Sequence, residues 1–268
     1  AHSAVIERGI DRHQLLRLLP AGGARNALDC ALWEIEAREA GQPVWRLAGL
    51  DHVAPRITTF TLSADEPSAV GEAARALSEA KALKLKLDGN LPADTDRVRA
   101  VRKHRPDVWL GVDANQGYSR PGLEKLIPIL AEARVELLEQ PLRRGEEAQL
   151  EGLTSPIPIA ADESVQGIGD VAGLVGRFDV VNIKLDKCGG LTEALQIVNE
   201  ARNAGLKVMV GNMVGTSLAM APAYVVAQLC DSVHLDGPTF IAQDCQPGLR
   251  YENGSVHCPE SVWGGGRA

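Results

Sequence analysis

Between Lys84 and Lys187, four short apolar runs each end on groups able to hold a metal ion or move a proton. Lys84 and Lys86 lie in KALKLKL, Asp113 and Asn115 follow VWLGV, Glu139 follows VELL, and Asp162 and Glu163 follow PIAA; Lys184 then falls in DVVNIKLDKCGG. Asp113, Glu139 and Asp162 end three consecutive runs, and three hard oxygen ligands meeting at one place suit Mg²⁺. Each acid alone has a blander reading, as a helix N-cap or a surface strand end. Asn115 is expected to orient a ligand, and Glu163 to stand near a lysine. Lys84 and Lys86 share one face of a strand while Leu83, Leu85 and Leu87 share the other. A K-x-K strand is most often a solvated edge. In a closed parallel sheet, however, the leucines would meet helices and the lysines would point inward, where an unpaired ammonium is costly.

The elements that must position these groups alternate along the chain. A loosely patterned start with Leu15, Leu16, Leu18 and Leu19 reads as a helix before Pro20, and residues 24–40 carry helical spacing up to Gly41. ITTFTL at 57–62 is the first barrel strand. Strands are then predicted near 83–87, 108–113, 135–139, 157–161, 179–184, 207–211 and 232–235, making eight. Helical segments are predicted near 66–80, 93–104, 120–133, 144–153, 168–176, 190–203 and 214–229. The polar strand ends recur at roughly 22 to 28 residues, the length of one βα unit, which favours a TIM-like (β/α)7β barrel over an open doubly wound sheet. In a barrel the strand C-termini converge on one mouth. Beyond Asp236, Asn253-Gly254 predicts a hairpin spanning 249–256.

On that architecture Lys184 lies across the barrel from Lys86. It could simply pair with Asp186. The sharper reading puts a carboxylate-bearing substrate on the metal between two lysines, one on each side of its α-carbon. One lysine removes the α-proton, an enediolate forms, and the other lysine returns a proton to the opposite face. This needs one amine neutral and one charged, with the metal and Lys84 lowering the base's pKa. Lys187 is expected to face solvent or to stand behind the site.

Composition narrows the partners. With 268 residues the chain can hold one main domain, and a net charge of -7 with pI about 5.4 argues against nucleic-acid and anionic-membrane surfaces. A small-molecule substrate is the expected partner. Five cysteines without a C-x-x-C pair fit reduced thiols in the cytoplasm, and neither a signal sequence nor an 18-residue apolar run is visible. The chain starts at Ala1 without Met, so a piece of a longer product is one expectation. Many barrels assemble symmetrically, so a homo-oligomer is another.

The motifs KLKLDG, VDANQGY, EQPL, ADES and NIKLDKCGG together resemble the enolase superfamily in its muconate-lactonizing-enzyme subgroup, and within it the dipeptide epimerases such as L-Ala-D/L-Glu epimerase. The resemblance covers roughly residues 24–266. A lysine base with Mg²⁺ is the established pattern of enolase-superfamily sites. By position it implies Lys86 and Lys184 as the acid/base pair, Lys84 as their neighbour, and Asp113, Glu139 and Asp162 as Mg²⁺ ligands. MVGNMVGTS carries no His, whereas acid-sugar dehydratases and mandelate-racemase relatives resemble one another in a strand-seven His, so those relatives fit poorly. Dipeptide epimerases are similar in an Asp-x-Asp pair that receives the substrate α-ammonium. Asp236 in HLDGPTF matches the second acid, and His234 replaces the first. Asp-Gly-Pro also reads as a turn, and His234 as an ordinary strand-end residue.

The same resemblance implies a remnant of an α+β capping domain formed by both chain ends. The expected division is the helical end of that cap at 1–50, the catalytic barrel at 51–236, and a segment returning to the cap at 237–268. The implied function is an Mg²⁺-dependent dipeptide epimerase, an isomerase performing 1,1-proton transfer at an α-carbon. Rivals using the same lysines and metal are N-acylamino-acid racemase or o-succinylbenzoate synthase and muconate cycloisomerase. A Schiff-base aldolase and a non-catalytic barrel complete the alternatives.

Overall fold

The computed structural model describes residues 9–266. Its centre is an eight-stranded, all-parallel sheet in strict chain order. The strands are β2 (Thr59–Leu62), β3 (Ala82–Lys86), β4 (Trp109–Asp113), β5 (Leu137–Glu139), β6 (Ile159–Ala161), β7 (Val180–Ile183), β8 (Lys207–Val210) and β9 (Ser232–Val233). Each expected strand is present within two or three residues of its predicted limits. The edges β2 and β9 share no ladder. They are joined by side chains: Leu235 N donates to Thr58 Oγ1 (2.9 Å) and Thr61 N donates to Asp236 Oδ2 (2.7 Å). The resulting barrel-like sheet carries its helices outside.

Local chemistry explains the crossovers. Asn90 caps the helix Leu91–His104 and Ser119 caps Arg120–Glu132, each with proline in the first turn, where a missing N–H costs nothing. The crossovers after β5 and β6 differ from expectation. They are 3₁₀ segments, Glu147–Leu150 and Ile168–Leu174, rather than α-helices. Glu147–Leu150 is only four residues long and Ile168–Leu174 carries Gly169 and Gly173, so neither sustains a four-residue hydrogen-bond ladder, but both can close tighter turns.

Strand alternation divides the residues in two. Leu83, Leu85, Leu110, Val112, Leu138 and Val181 point outward into the main core against the helices. The inner face forms a second, smaller apolar cluster of Leu137, Ala160, Val180 and Met209, with Trp109 packed against it. By alternation these residues lie two positions before Glu139, Asp162, Asn182 and Gly211, and four before Asp113, so they make a floor beneath the strand ends.

Around the barrel, the N-terminal helices Arg12–Leu18 and Gly23–Ala40 pack on the helices Leu185–Cys188 and Leu191–Asn203. The first eight residues of the expected N-terminal unit lie outside the described residues. The predicted hairpin is present as β10 (Arg250–Glu252) and β11 (Ser255–His257), and β11 pairs antiparallel with β1 (Arg56–Ile57) just ahead of β2. The tail then reaches the N-terminal side, where Val44 N donates to Gly264 O (2.8 Å) and Trp45 Nε1 to Glu260 (3.0 Å). All five cysteines are free thiols. Among the described residues, no helix is long and apolar enough to cross a membrane.

Gly254 ties this hairpin to the barrel. Its φ of 72° is left-handed, and a Cβ there would fall 2.7 Å from Lys81 N and 2.8 Å from Glu79 O, just before β3. Gly254→Ala is therefore expected to destabilise the protein by about 1–3 kcal/mol. The check is a lower urea midpoint at unchanged m-value.

Candidate active site

The strand ends bring three of the predicted acids together. One ligand oxygen from each of Asp113, Glu139 and Asp162 can be chosen so that all lie within 4.8 Å of one another, and all three residues are buried. Strand register explains this: Asp113 pairs beside Glu139 and Glu139 beside Ala160, two residues before Asp162. Lysines surround the acids. Lys84 Nζ lies 3.0 Å from Asp113 Oδ2 and 2.6 Å from Glu139 Oε2. Lys86 Nζ donates to Asp113 Oδ2 (2.7 Å), and Lys184 Nζ donates to Asp162 Oδ2 (2.6 Å). Lys184 therefore pairs with Asp162 rather than Asp186. Strands β3 and β7 are four apart in a sheet of eight, so Lys86 and Lys184 approach the acids from opposite walls. Of the two, Lys86 is the more open, with 33% of its side chain exposed against 10% for Lys184.

Electrostatics follow from this crowding. Burial favours the neutral form of Asp113, but Lys84 and Lys86 outweigh it and hold the carboxyl at about 2. Burial, and then the neighbouring Asp113 charge, push Glu139 up to about 7. Burial also opposes ionisation of Asp162, yet Lys187 and Lys184 drive its carboxyl well below the usual range. Burial works to neutralise Lys84, but Asp113, Glu139 and Asp162 overcome it and keep the ammonium charged.

Such a trio fits a hard divalent cation. Three buried carboxylates share one small space, and Glu139 Oε2 lacks a well-aligned hydrogen-bond donor although Lys84 is near. Asn182 Nδ2 fixes the other Glu139 oxygen (2.8 Å). The expected ligands of Mg²⁺ thus form an oxygen-only donor set with an oriented surrounding shell.

The remaining predicted residues divide. Asn115 acts through its main chain: its N–H donates to Asp113 Oδ1 (3.0 Å), while its side chain is exposed. Glu163 makes no ion pair with a lysine among the described residues, and its Oε2 is buried without a partner. Asp236 is buried at the β9 end, with one oxygen taken by Thr61 N; burial raises its pKa. His234 is also buried, its ring edge-on to Trp109, with Nε2 3.0 Å from Ser232 Oγ and Nδ1 unpartnered. Burial, then the Lys84 charge, keep this imidazole neutral.

Two residues, Gln140 and Asn182, escaped the sequence reading, and a third, Lys187, takes the second of its two expected places, behind the site. Lys187 does not face solvent. Its side chain is 8% exposed and its Nζ donates to Asp162 Oδ1 (2.5 Å), to Asp162 O and to Asn182 O. Burial lowers its pKa even against the Asp162 charge. Gln140, fully buried with φ 35°, accepts at Oε1 from Asp162 N (2.9 Å) and Ser164 N (3.1 Å), and so sets the backbone that carries Asp162. Asn182 holds Glu139. Alternation two residues before Lys184 is a signal that could have placed Asn182 inside. Gln140 joins Asn115 (φ 42°) and Gln116 (φ 65°) in left-handed backbone after β4 and β5, a strain that loops at functional sites commonly hold. A cavity of about 600 Å³ borders Pro158, Asp179 and Lys207 at the opposite, N-terminal strand ends, away from these groups.

A family model described as enolase C-terminal domain-like matches residues 69–266, and one described as the mandelate racemase / muconate lactonizing enzyme N-terminal domain matches residues 6–49. An L-Ala-D/L-Glu epimerase from Escherichia coli (strain K12) is 42% identical over 254 residues, covering 94% of this chain and 78% of the relative. An N-acetyl-D-glutamate racemase from Pseudoalteromonas sp is 40% identical over 259 residues, covering 96% and 81%. Among solved structures, a dipeptide epimerase from Enterococcus faecalis V583 complexed with Mg and L-Leu-L-Tyr superposes with a TM-score of 0.87 at 29% identity, covering 96% of this chain and 78% of that one.

Proposed function

Because this chain belongs to the mandelate racemase / muconate lactonizing enzyme family of the enolase superfamily, we propose that it is an Mg²⁺-dependent isomerase that epimerises a dipeptide at the α-carbon of its C-terminal residue. The observation that carries the reading is the placement of Lys86 and Lys184 on opposite walls of three clustered, buried acids. Bound by Asp113, Glu139 and Asp162, Mg²⁺ would supply positive charge that makes the proton beside a substrate carboxylate easier to remove.

The chain's own residues do the rest. A neutral amine at one lysine takes the α-proton, and an ammonium at the opposite lysine delivers one to the other face; the two side chains thereby exchange protonation states and the configuration inverts. Asp113 and Asp162 hold the two Nζ atoms by hydrogen bonds of 2.7 Å and 2.6 Å, which fixes the direction from which each can reach substrate. Lys84 keeps its charge and balances two of the acids. Asp236, anchored by Thr61 N, receives the substrate α-ammonium. On this reading the barrel, residues 51–236, carries the chemistry, and residues 1–50 and 237–268 belong to the cap side.

A second reading is N-acylamino-acid racemisation. It is favoured by His234, a neutral side chain where an Asp-x-Asp pair would add a second negative charge for an ammonium.

The experiment is α-proton exchange in D₂O with Mg²⁺ on L-Ala-L-Glu, L-Ala-D-Glu and N-acetylglutamate. Exchange with inversion of the dipeptides is expected. Exchange confined to N-acetylglutamate would move the assignment to the second reading, and exchange with neither class would end both.

A further inference from the structure

Lys184 is the first residue beyond the end of β7. It is the N-cap of a one-turn helix, Leu185–Cys188, which ends in Gly189 with φ 77°. The turn closes on the carbonyls of Lys184 and Leu185, with Cys188 N donating to Lys184 O (3.1 Å) and Gly189 N to Leu185 O (2.7 Å), but its last carbonyls need donors from elsewhere. Those donors come from one residue, Arg25, buried on the helix Gly23–Ala40. Its Nη2 donates to Cys188 O (2.5 Å) and its Nε to Gly189 O (3.2 Å), while Nη1 donates to Leu19 O (3.1 Å). The same guanidinium is ion-paired with Glu193. The other Glu193 oxygen accepts from Ile168 N (2.9 Å), in the segment after Asp162. Asn26 adds a bond to Asp186 inside the turn (3.2 Å), and Asp29 accepts from Thr192 N (3.0 Å) just beyond it. A side chain at Gly189 would collide with the guanidinium, so the turn and Arg25 are fitted to each other.

We propose that Arg25 is a positioning residue for Lys184: from a helix outside the barrel it fixes the turn from which that lysine reaches its side of the substrate. The inference rests on the reading of Lys184 as one of two proton carriers. Lys86 extends from the end of β3, which Arg25 does not touch, so the effect is one-sided. Misplacing a reacting group by about 1 Å can cost ~10²-fold in rate.

The test uses the full chain with Mg²⁺ and compares proton exchange from the two stereoisomers of L-Ala-Glu. The isomer served by Lys184 is identified as the one whose exchange disappears in Lys184→Ala. In Arg25→Met its exchange is expected to fall about 10- to 100-fold, while exchange from the other isomer falls less than about threefold. A simple loss of folded protein would lower both equally, so equal losses, or none, overturn the proposal. Arg25→Lys is expected to behave similarly, since an ammonium cannot present the guanidinium fork to both carbonyls and Glu193. It keeps the charge beside Glu193 and carries the comparison should Arg25→Met fail to fold. If the wild type exchanges neither isomer, the epimerase reading fails on its own. Positioning is then read from reductive methylation followed by mass spectrometry: faster labelling of Lys184 with Lys86 unchanged supports it, and unchanged rates at both lysines overturn it.

Discussion

Lys184→Ala is expected to reduce epimerisation by about 10²–10⁴-fold, the usual worth of a positioned acid or base, and yet to leave solvent exchange from one stereoisomer largely intact. The reason is geometric. Lys86 ends β3 and Lys184 directly follows β7, four strands away, and each is held by a different acid, so removing one leaves the other able to take the proton that faces it. Lys86→Ala is expected to give the mirror result. Deuterium incorporation measured separately for L-Ala-L-Glu and L-Ala-D-Glu checks both. If each variant lost exchange from both isomers alike, the two-sided mechanism would be wrong, and a single base with a mobile substrate would replace it.

Lys84→Met is expected to produce the largest change in stability. The Lys84 ammonium contacts Asp113 and Glu139, and the side chain is 8% exposed. Deleting it leaves three carboxylates crowded without that counter-charge, and breaking a buried pair in this way costs about 3–5 kcal/mol. The loss should be full in chelator-treated protein. Added Mg²⁺ is expected to restore much of it, because a cation that binds only the folded trio stabilises by mass action. Urea denaturation with EDTA and with Mg²⁺, on wild type and variant, gives the four values required. A loss under about 1 kcal/mol, or one insensitive to Mg²⁺, would argue that the acids do not form one charge cluster.

Much of this site was readable because strands impose a period of two and βα units a longer one. The first put Lys84 and Lys86 together and the leucines opposite; the second put Asp113, Glu139 and Asp162 at one end of the sheet. Where the reading stopped, the missing information was tertiary. Lys187 sits in a polar, glycine-terminated turn that reads as surface or as standing behind the site, and only the fold shows Asp162 above it. Glu163 has the right neighbours in sequence but makes no lysine pair. The bond from Asp236 to Thr61 joins residues 175 apart and leaves no local trace. Arg25 is one of two arginines on its helix until its carbonyl partners are known. The crossovers after β5 and β6 fall inside the expected helical segments, but as 3₁₀-helices, because periods of three and of 3.6 residues differ little over a turn or two.

The side-chain seam between β2 and β9 bears on how the chain reaches this structure. Every ladder in the sheet joins a strand to its immediate predecessor, so the barrel can grow strand by strand as synthesis proceeds. Closure is different: Thr58 and Thr61 find partners only when Leu235 and Asp236 have been made. These contacts join residues 177 and 175 apart, and contacts across such long loops are slow to form in folding. Until then the sheet is open at both sides, and β2 presents an unpaired edge to other chains. Asp236 therefore belongs both to the proposed substrate contact and to the last stitch of assembly, so its removal is expected to show first as aggregation during refolding, relieved by dilution, rather than as a lower melting temperature of protein already folded.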